Sequence, residues 1–252
     1  MQTNFKKRPA YTDASGAEKQ FMTFDRVICT QAEFKALIAD PTWFGAVSVA
    51  FIGDGGNLEF TLSSPNNGGV KIPQTVKQIR GFNDAKIRVT NFYYNSTYAK
   101  GGLWYTTLPT QDGTINTTPL QGYSISDLSV DCTGSTSGGF SGYGFNNCVK
   151  LTNCISRGVS SIGSNGYGFI SCIQLTNCTG KGAGASMNGT GMGFSNCIQL
   201  MNCIGAGSGK IGYGFNDCSY ASCCKEDIEQ STTNIWGGTN TKIDWNSCQD
   251  NR

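Results

Sequence analysis

The sequence predicts an all-β parallel β-helix solenoid, and three observations carry that expectation. Four segments of the second half repeat one another: GYGFNNCVKLTNC, GYGFISCIQLTNC, GMGFSNCIQLMNC and GYGFNDCSYASCC, which start at Gly142, Gly166, Gly191 and Gly212. A fixed period in the low twenties is the signature of a solenoid, whose units bury their apolar faces only by stacking. Within a repeat there is no stretch with the helical spacing of apolar residues, and each unit offers one leucine at most, so helical and leucine-rich repeats are excluded. Finally, short apolar runs alternate with Gly and Asn, as strands joined by tight bends do. Three such strands and their corners occupy about 22 residues, one coil of a β-helix.

Stacked coils lie ~4.8 Å apart, so equivalent residues form columns. The expected ladders are Phe145, Phe169, Phe194 and Phe215; Cys148, Cys172, Cys197 and Cys218; Cys154, Cys178, Cys203 and Cys224; and a polar one, Asn153, Asn177 and Asn202. Small cysteines suit an interior corner, and asparagine amides stack as a hydrogen-bonded ladder at a bend.

Along the chain, residues 1–29 read as an N-terminal arm or attachment segment. Residues 30–40 follow as a capping helix: Thr30-Gln31-Ala32-Glu33 is a capping box, Phe34, Leu37 and Ile38 follow at helical spacing, and Pro41 stops the run. Strands are expected around Val47/Val49/Phe51, Leu58/Phe60/Leu62, Val70/Ile72, Val76/Ile79 and Ile87/Val89. The regular period begins near Gly122, since Ser126 and Cys132 lie one period before the ladder cysteines Cys148 and Cys154. From 46 to 224 this period gives an expectation of about eight coils and a rod ~40 Å long. Residues 92–121 break the rhythm as an aromatic excursion. Residues 225–252 concentrate charge and then supply Trp236 and Trp245, which reads as a C-terminal cap.

The opening helix followed by VSVAFIGDGGNLEF and GGVKIPQTVKQIRGFNDAKIRV resembles right-handed parallel β-helix proteins of the pectate-lyase-like superfamily, which includes phage tailspikes and related fibre proteins. The resemblance covers most of 30–224. It implies a right-handed coil, and it implies no single activity, because the superfamily mixes lyases, hydrolases and adhesins. No catalytic motif of the family can be placed on this chain residue by residue.

Composition narrows the chemistry. Histidine is absent from the 252 residues, which removes His-based triads and His-ligated metal sites. A net charge of +2 points to no nucleic-acid partner, and no long apolar run calls for membrane insertion. Neither a cofactor nor a metal is expected. Enzymes of the superfamily work with carboxylates, yet from Cys132 to Asn216 the chain carries no Asp or Glu. The remaining catalytic candidates are Asp127 and Asp131, with Asp84 and Asp112 near them in sequence; solvated turn carboxylates are the competing reading. The 12 cysteines read as reduced interior residues. Disulfides are one alternative, and a metal group of Cys218, Cys223, Cys224 and Cys248 is another. Lys150, Arg157, Lys181 and Lys210 form a local positive set suited to solubility or to anionic polymers. The broken column Thr152, Thr176, Met201 argues against ice binding.

In the excursion, Tyr93, Tyr94, Tyr98, Trp104 and Tyr105 are candidates to stack on sugar rings; a flap or a subunit interface is the alternative. No apolar stretch follows the basic residues of MQTNFKKRPAYTDASG, so synthesis in a host cytoplasm without a secretory signal is expected. The functional expectation is a non-enzymatic structural or receptor-binding component of a phage tail or tail-like particle, located in the virion, contacting other particle subunits and surface polysaccharide. The alternatives are a polysaccharide lyase or hydrolase and a bacterial cell-surface adhesin. With 14% charged residues on a long rod, self-association is expected; the resemblance to phage β-helices, which commonly act as trimers, implies a homotrimer, held by 92–121 and the Trp236/Trp245 tail.

Overall fold

The computed structural model describes residues 10–12, 18–20, 24–56, 58–63, 69–92, 101–105, 122–134, 141–160, 164–184, 189–226 and 234–237. It is a parallel β-solenoid. Three sheets run along it, with eight, seven and seven strands, and every neighbouring pair within them is parallel. The regular coil visits the sheets in fixed order. Val149–Thr152 lies in the first sheet, Ile155–Val159 in the second and Gly166–Ile170 in the third. The next coil repeats the order with Ile173–Thr176, Thr179–Ala183 and Thr190–Ser195.

About six turns are made, rather than the eight expected. A constant coil length does not hold in the first half. Ser48 pairs with Gln78, and Gln78 with Ser124, so the second of these turns spends far more chain than a regular coil. Once Ile125 pairs with Leu151 the turns shorten. The later steps, Leu151 to Leu175, Leu175 to Leu200 and Leu200 to Ala221, keep the period of the sequence repeats. The long excursion therefore belongs to a single turn, and six turns correspond to about 30 Å of stacked strand.

The helix α1 (Gln31–Ala39) has Thr30 as its N-cap, and the capping box with Glu33 is formed. Phe34 reaches from it onto Phe60 at 5.7 Å and Phe51 at 6.2 Å, covering the first coil's core. Gln31 does something less obvious. Its side-chain amide donates to Thr61 O at 2.6 Å and accepts from Thr61 N at 2.8 Å. Glu59–Ser63 is the first strand of its sheet, and the amide takes the place of the missing neighbour, blunting an edge that would otherwise pair with another chain.

Corners are built from residues with positive φ, where asparagine and aspartate are tolerated best. Asp127, Asn153, Asn177, Asn202 and Cys223 stand at one corner; Asn147, Ser171, Asn196 and Asp217 stand at another. A ladder cysteine follows nearly every one. At both corners its thiol donates to the carbonyl two residues earlier, at 3.4 Å for Cys148 and Cys154 and 3.3 Å for Cys172 and Cys178. Cysteine thus fills the corner and also tethers a carbonyl that the turn has pulled out of line. The cysteines of the described residues are free thiols. Burial raises the Cys132 thiol to about 12, and contact with the Cys178 thiol, more than burial, raises Cys203 to about 12. Such thiols stay protonated and unreactive at neutral pH.

The Phe ladder stands as expected, with successive centroids 5.2, 4.9 and 5.0 Å apart and rings within 5° of parallel. Beside it the solenoid narrows. The inner positions of the second sheet run from Val130 and Cys132 through Ser156 and Gly158 to Gly180 and Gly182 and then to Gly205 and Gly207. Opposite them the third sheet presents Gly166 and Gly168, then Gly191 and Gly193. No side chains separate the two backbones there. A β-carbon on Gly193 would stand 2.7 Å from Ala206 N, Gly180 O and Gly214 O, all main-chain atoms. The later coils therefore have a wide end filled by Phe, Leu and Cys, and a thin two-layer blade closed by glycine.

Two outcomes follow from this packing. Gly193→Ala is expected to destabilise the protein by about 1–3 kcal/mol, because backbone on three sides cannot move aside for a methyl group; a denaturant melt reads it. The unfolded, unreduced chain should titrate about twelve thiols from its 12 cysteines. In the folded protein Cys29 and Cys223, the two exposed ones among the described residues, should react before the buried ladders.

Candidate functional site

Of the carboxylates singled out from the sequence, Asp112 lies outside the described residues, while Asp127 and Asp131 are engaged in hydrogen bonds and ion pairs. Asp127 sits at the corner between the first and second sheets. Its Oδ2 accepts from Arg80 Nε at 3.0 Å, and its Oδ1 accepts from Asn153 Nδ2 at 3.0 Å. From there the amide ladder continues, Asn177 Nδ2 donating to Asn153 Oδ1 at 3.2 Å and Asn202 Nδ2 to Asn177 Oδ1 at 2.8 Å. The aspartate is the acidic head of the Asn column. Asp131 lies on the outer face of the second sheet, where its Oδ2 meets Lys86 Nζ at 2.9 Å. Glu59, one coil earlier than Lys86, accepts from the same ammonium at 3.0 Å and from Arg88 Nη1 at 2.8 Å. Two acids and two bases thus neutralise one another across three coils. Asp127 and Asp131 thus belong to two separate networks, one at the corner and one on the outer face of the second sheet.

The aromatic excursion divides. Tyr93, Tyr94 and Tyr98 lie outside the described residues, as do Trp245 and Cys248. Trp104 and Tyr105 are described, in the strand Leu103–Tyr105, and both are buried, at 7% and 0% exposure. Tyr105 points into the core and donates its hydroxyl to Val76 O at 3.2 Å; burial holds its pKa well above the ordinary value. The expectation that these two rings lie open to a sugar is corrected. Their strand is a middle rung of the third sheet, between Val70–Ile72 and Gly142–Asn146; Leu103 and Tyr105 face inward, and Trp104, in register with Lys71 and Asn146 on the other side, is covered as well. Among the described residues, no cluster of Cys, Asp and Glu fit to hold a metal is found.

An aromatic face does exist, at residues the sequence reading passed over. In the GYGF motif, the glycines on either side of the tyrosine are buried and the tyrosine turns outward. Tyr143, Tyr167, Met192 and Tyr213 fall in one register on the third sheet, each half-buried. The Tyr143 and Tyr167 rings are 5.0 Å apart and 9° from parallel. Asn165 Nδ2 donates to the Tyr167 hydroxyl at 3.0 Å, and Asn165 Oδ1 accepts from Thr190 N at 2.9 Å, so the second ring is braced from the loop before it. The signal was present as strict Gly-Tyr-Gly alternation, in which the residue between two inward glycines must point outward.

The face is apolar with polar tips, repeats at the coil spacing, and lies along the solenoid axis. With Tyr143 and Tyr167 stacked on each other, the column presents ring edges and hydroxyls outward, which suit a repeating ligand with apolar edges and hydroxyl groups. No protein-family model, no curated protein and no solved structure matches this chain.

The ion-pair network gives a pH dependence. Hydrogen bonds from Arg88 first, and from Lys86 second, hold the Glu59 carboxyl below its ordinary 4.5 against an opposing effect of burial. A carboxyl depressed by folding contributes stability that is present above the unfolded value and lost as pH falls through the folded one. The melting temperature should therefore drop on acidification below about pH 4.5. Glu59→Gln should lower it at neutral pH and flatten part of that acid limb, as scanning calorimetry from neutral to strongly acidic pH would show.

Proposed function

We propose that this chain is a non-enzymatic structural and receptor-binding component of a phage tail or tail-like appendage, a rod segment that holds surface glycan against its tyrosine face. The observation that carries glycan contact is the outward column Tyr143, Tyr167, Met192 and Tyr213, with its two parallel rings 5.0 Å apart. A stack of this kind offers the same contact at each coil, which a polymer of similar units can use several times over. The engagement of Glu59, Asp127 and Asp131 with Lys86, Arg88, Arg80 and Asn153 supports binding over catalysis. The particle assignment rests on the resemblance of 30–224 to phage β-helices and on the solenoid architecture. Assembly as a homotrimer through 92–121 and the Trp236/Trp245 tail belongs to the same proposal.

The test is binding of the full chain to a panel of bacterial surface polysaccharides, with product analysis alongside. Tyr167→Ala and Tyr213→Ala should each weaken binding by about 1 kcal/mol, roughly 5-fold, without release of oligosaccharide. Light scattering should give about three times 26.9 kDa. Affinity indifferent to both tyrosines would remove the glycan face. Chain cleavage that disappears in Asp127→Ala or Asp131→Ala would replace the binding role with an enzymatic one, and a full-length monomer would remove the trimer.

A further inference from the structure

We infer that the tyrosine face is one wall of a trough, and that this trough takes an uncharged, hydroxyl-rich polymer and rejects an anionic one. The inference rests on the glycan reading of that face and adds the ligand class and the residues that select it. Each third-sheet strand of the regular coils carries a second outward residue, three positions after its tyrosine or methionine. In Gly142–Asn146 the pair is Tyr143 and Asn146, and the two residues between them, Gly144 and Phe145, are buried. The same order recurs in Gly166–Ile170, Thr190–Ser195 and Ile211–Asn216. Strand register then stacks a second row, Asn146, Ile170, Ser195 and Asn216, beside the tyrosine row. Three residues of strand set the rows about 10 Å apart, with main chain alone as the floor between them. Equivalent positions stack along the solenoid axis, so the trough runs in that direction.

Among the described residues, no charged side chain stands in either row over these four strands. An ionised carboxylate or sulfate entering between them would give up water with no cation to replace it. In the same column the cation Lys71 stands two coils before Asn146, with Trp104 on the rung between. At the other end Asn216 Nδ2 donates to Asp217 Oδ2 at 2.8 Å, and that carboxylate adds to the rejection of anions. Amide groups of the second row supply the donors and acceptors that neutral hydroxyls use. Ser195 carries the argument furthest. It is 3% exposed, set between the larger Ile170 and Asn216, yet its hydroxyl makes no hydrogen bond among the described residues. Buried hydroxyls are ordinarily paired. An unpaired one, at the bottom of a notch in the trough wall, is a seat for a ligand hydroxyl.

The test measures binding of the full-length protein to amylose, mannan and galactan, each beside a derivative whose primary hydroxyls have been oxidised to carboxylates. At least one neutral polymer should bind, and its carboxylated partner should bind at least about tenfold more weakly. Ser195→Ala should weaken the neutral polymer about fivefold while the melting temperature holds or rises, because the protein itself loses no hydrogen bond. A serine with a purely structural role would show the reverse. Asn146→Lys places a cation in the row and should strengthen the carboxylated polymer about tenfold. The inference is overturned if the carboxylated derivatives bind as well as the neutral chains, if no neutral polymer binds, or if Ser195→Ala lowers the melting temperature or leaves affinity unchanged. Failure of the glycan reading looks different: binding persists while Tyr167→Ala and Tyr213→Ala change nothing.

Discussion

Close approach of two backbones, with no side chain between them, is the constraint on which the later coils depend. Gly158, Gly182 and Gly207 of the second sheet face Gly166, Gly191 and their neighbours of the third, and a methyl group at nearly any of them would strike main-chain atoms. Ordinary packed sheets stand about 10 Å apart because side chains fill the gap. Here the gap is closed instead, and the Phe ladder at its inner margin ends the core: a β-carbon on Gly180 would meet the rings of Phe169 and Phe194 at 2.9 Å. Because the inward positions are glycine, Ser156 apart, the remaining side chains of the blade are outward ones. One face becomes tyrosine and methionine, the other arginine, lysine and alanine.

The wide end obeys a different rule. A coil in the low twenties of residues must turn sharply, and the turns are made by single residues of positive φ followed by cysteine. Leucine or phenylalanine in the cysteine position would overfill the corner, and serine would bring a hydroxyl that must be satisfied in an apolar core. A thiol is small, tolerates burial, and still reaches the carbonyl that the turn displaces. Burial in turn makes these cysteines poor nucleophiles, so their number reflects geometry and not chemistry.

Charge is distributed unevenly along the rod. The acids of the described outer faces are concentrated in the first coils, where they are occupied: Glu59 and Asp131 with Lys86 and Arg88, Asp127 with Arg80 and the asparagine ladder. Farther along, from 133 to 216, the chain carries neither Asp nor Glu, and the same columns keep their cations and amides. Exposed ion pairs of this kind contribute little each, about 0–1 kcal/mol, yet linked across three coils they order side chains that would otherwise be loose.

By itself the sequence determined the solenoid, its period, and the Phe, Cys and Asn ladders. A residue that recurs every coil must lie on its own kind, whatever the cross-section, so translation symmetry alone specifies the columns. The capping helix was legible for a local reason, since Thr30 and Glu33 complete their box within a single turn. The number of turns was not legible, because an insertion such as 92–121 lengthens a coil without changing the axial rise, and only strand register reveals where it enters. Nor could the sequence say that Trp104 and Tyr105 are packed away while Tyr143 and Tyr167 look outward; aromatic density carries no information about direction. That was decided when the glycine rows of two sheets, which meet only in three dimensions, closed on each other and left the tyrosines a single side to occupy.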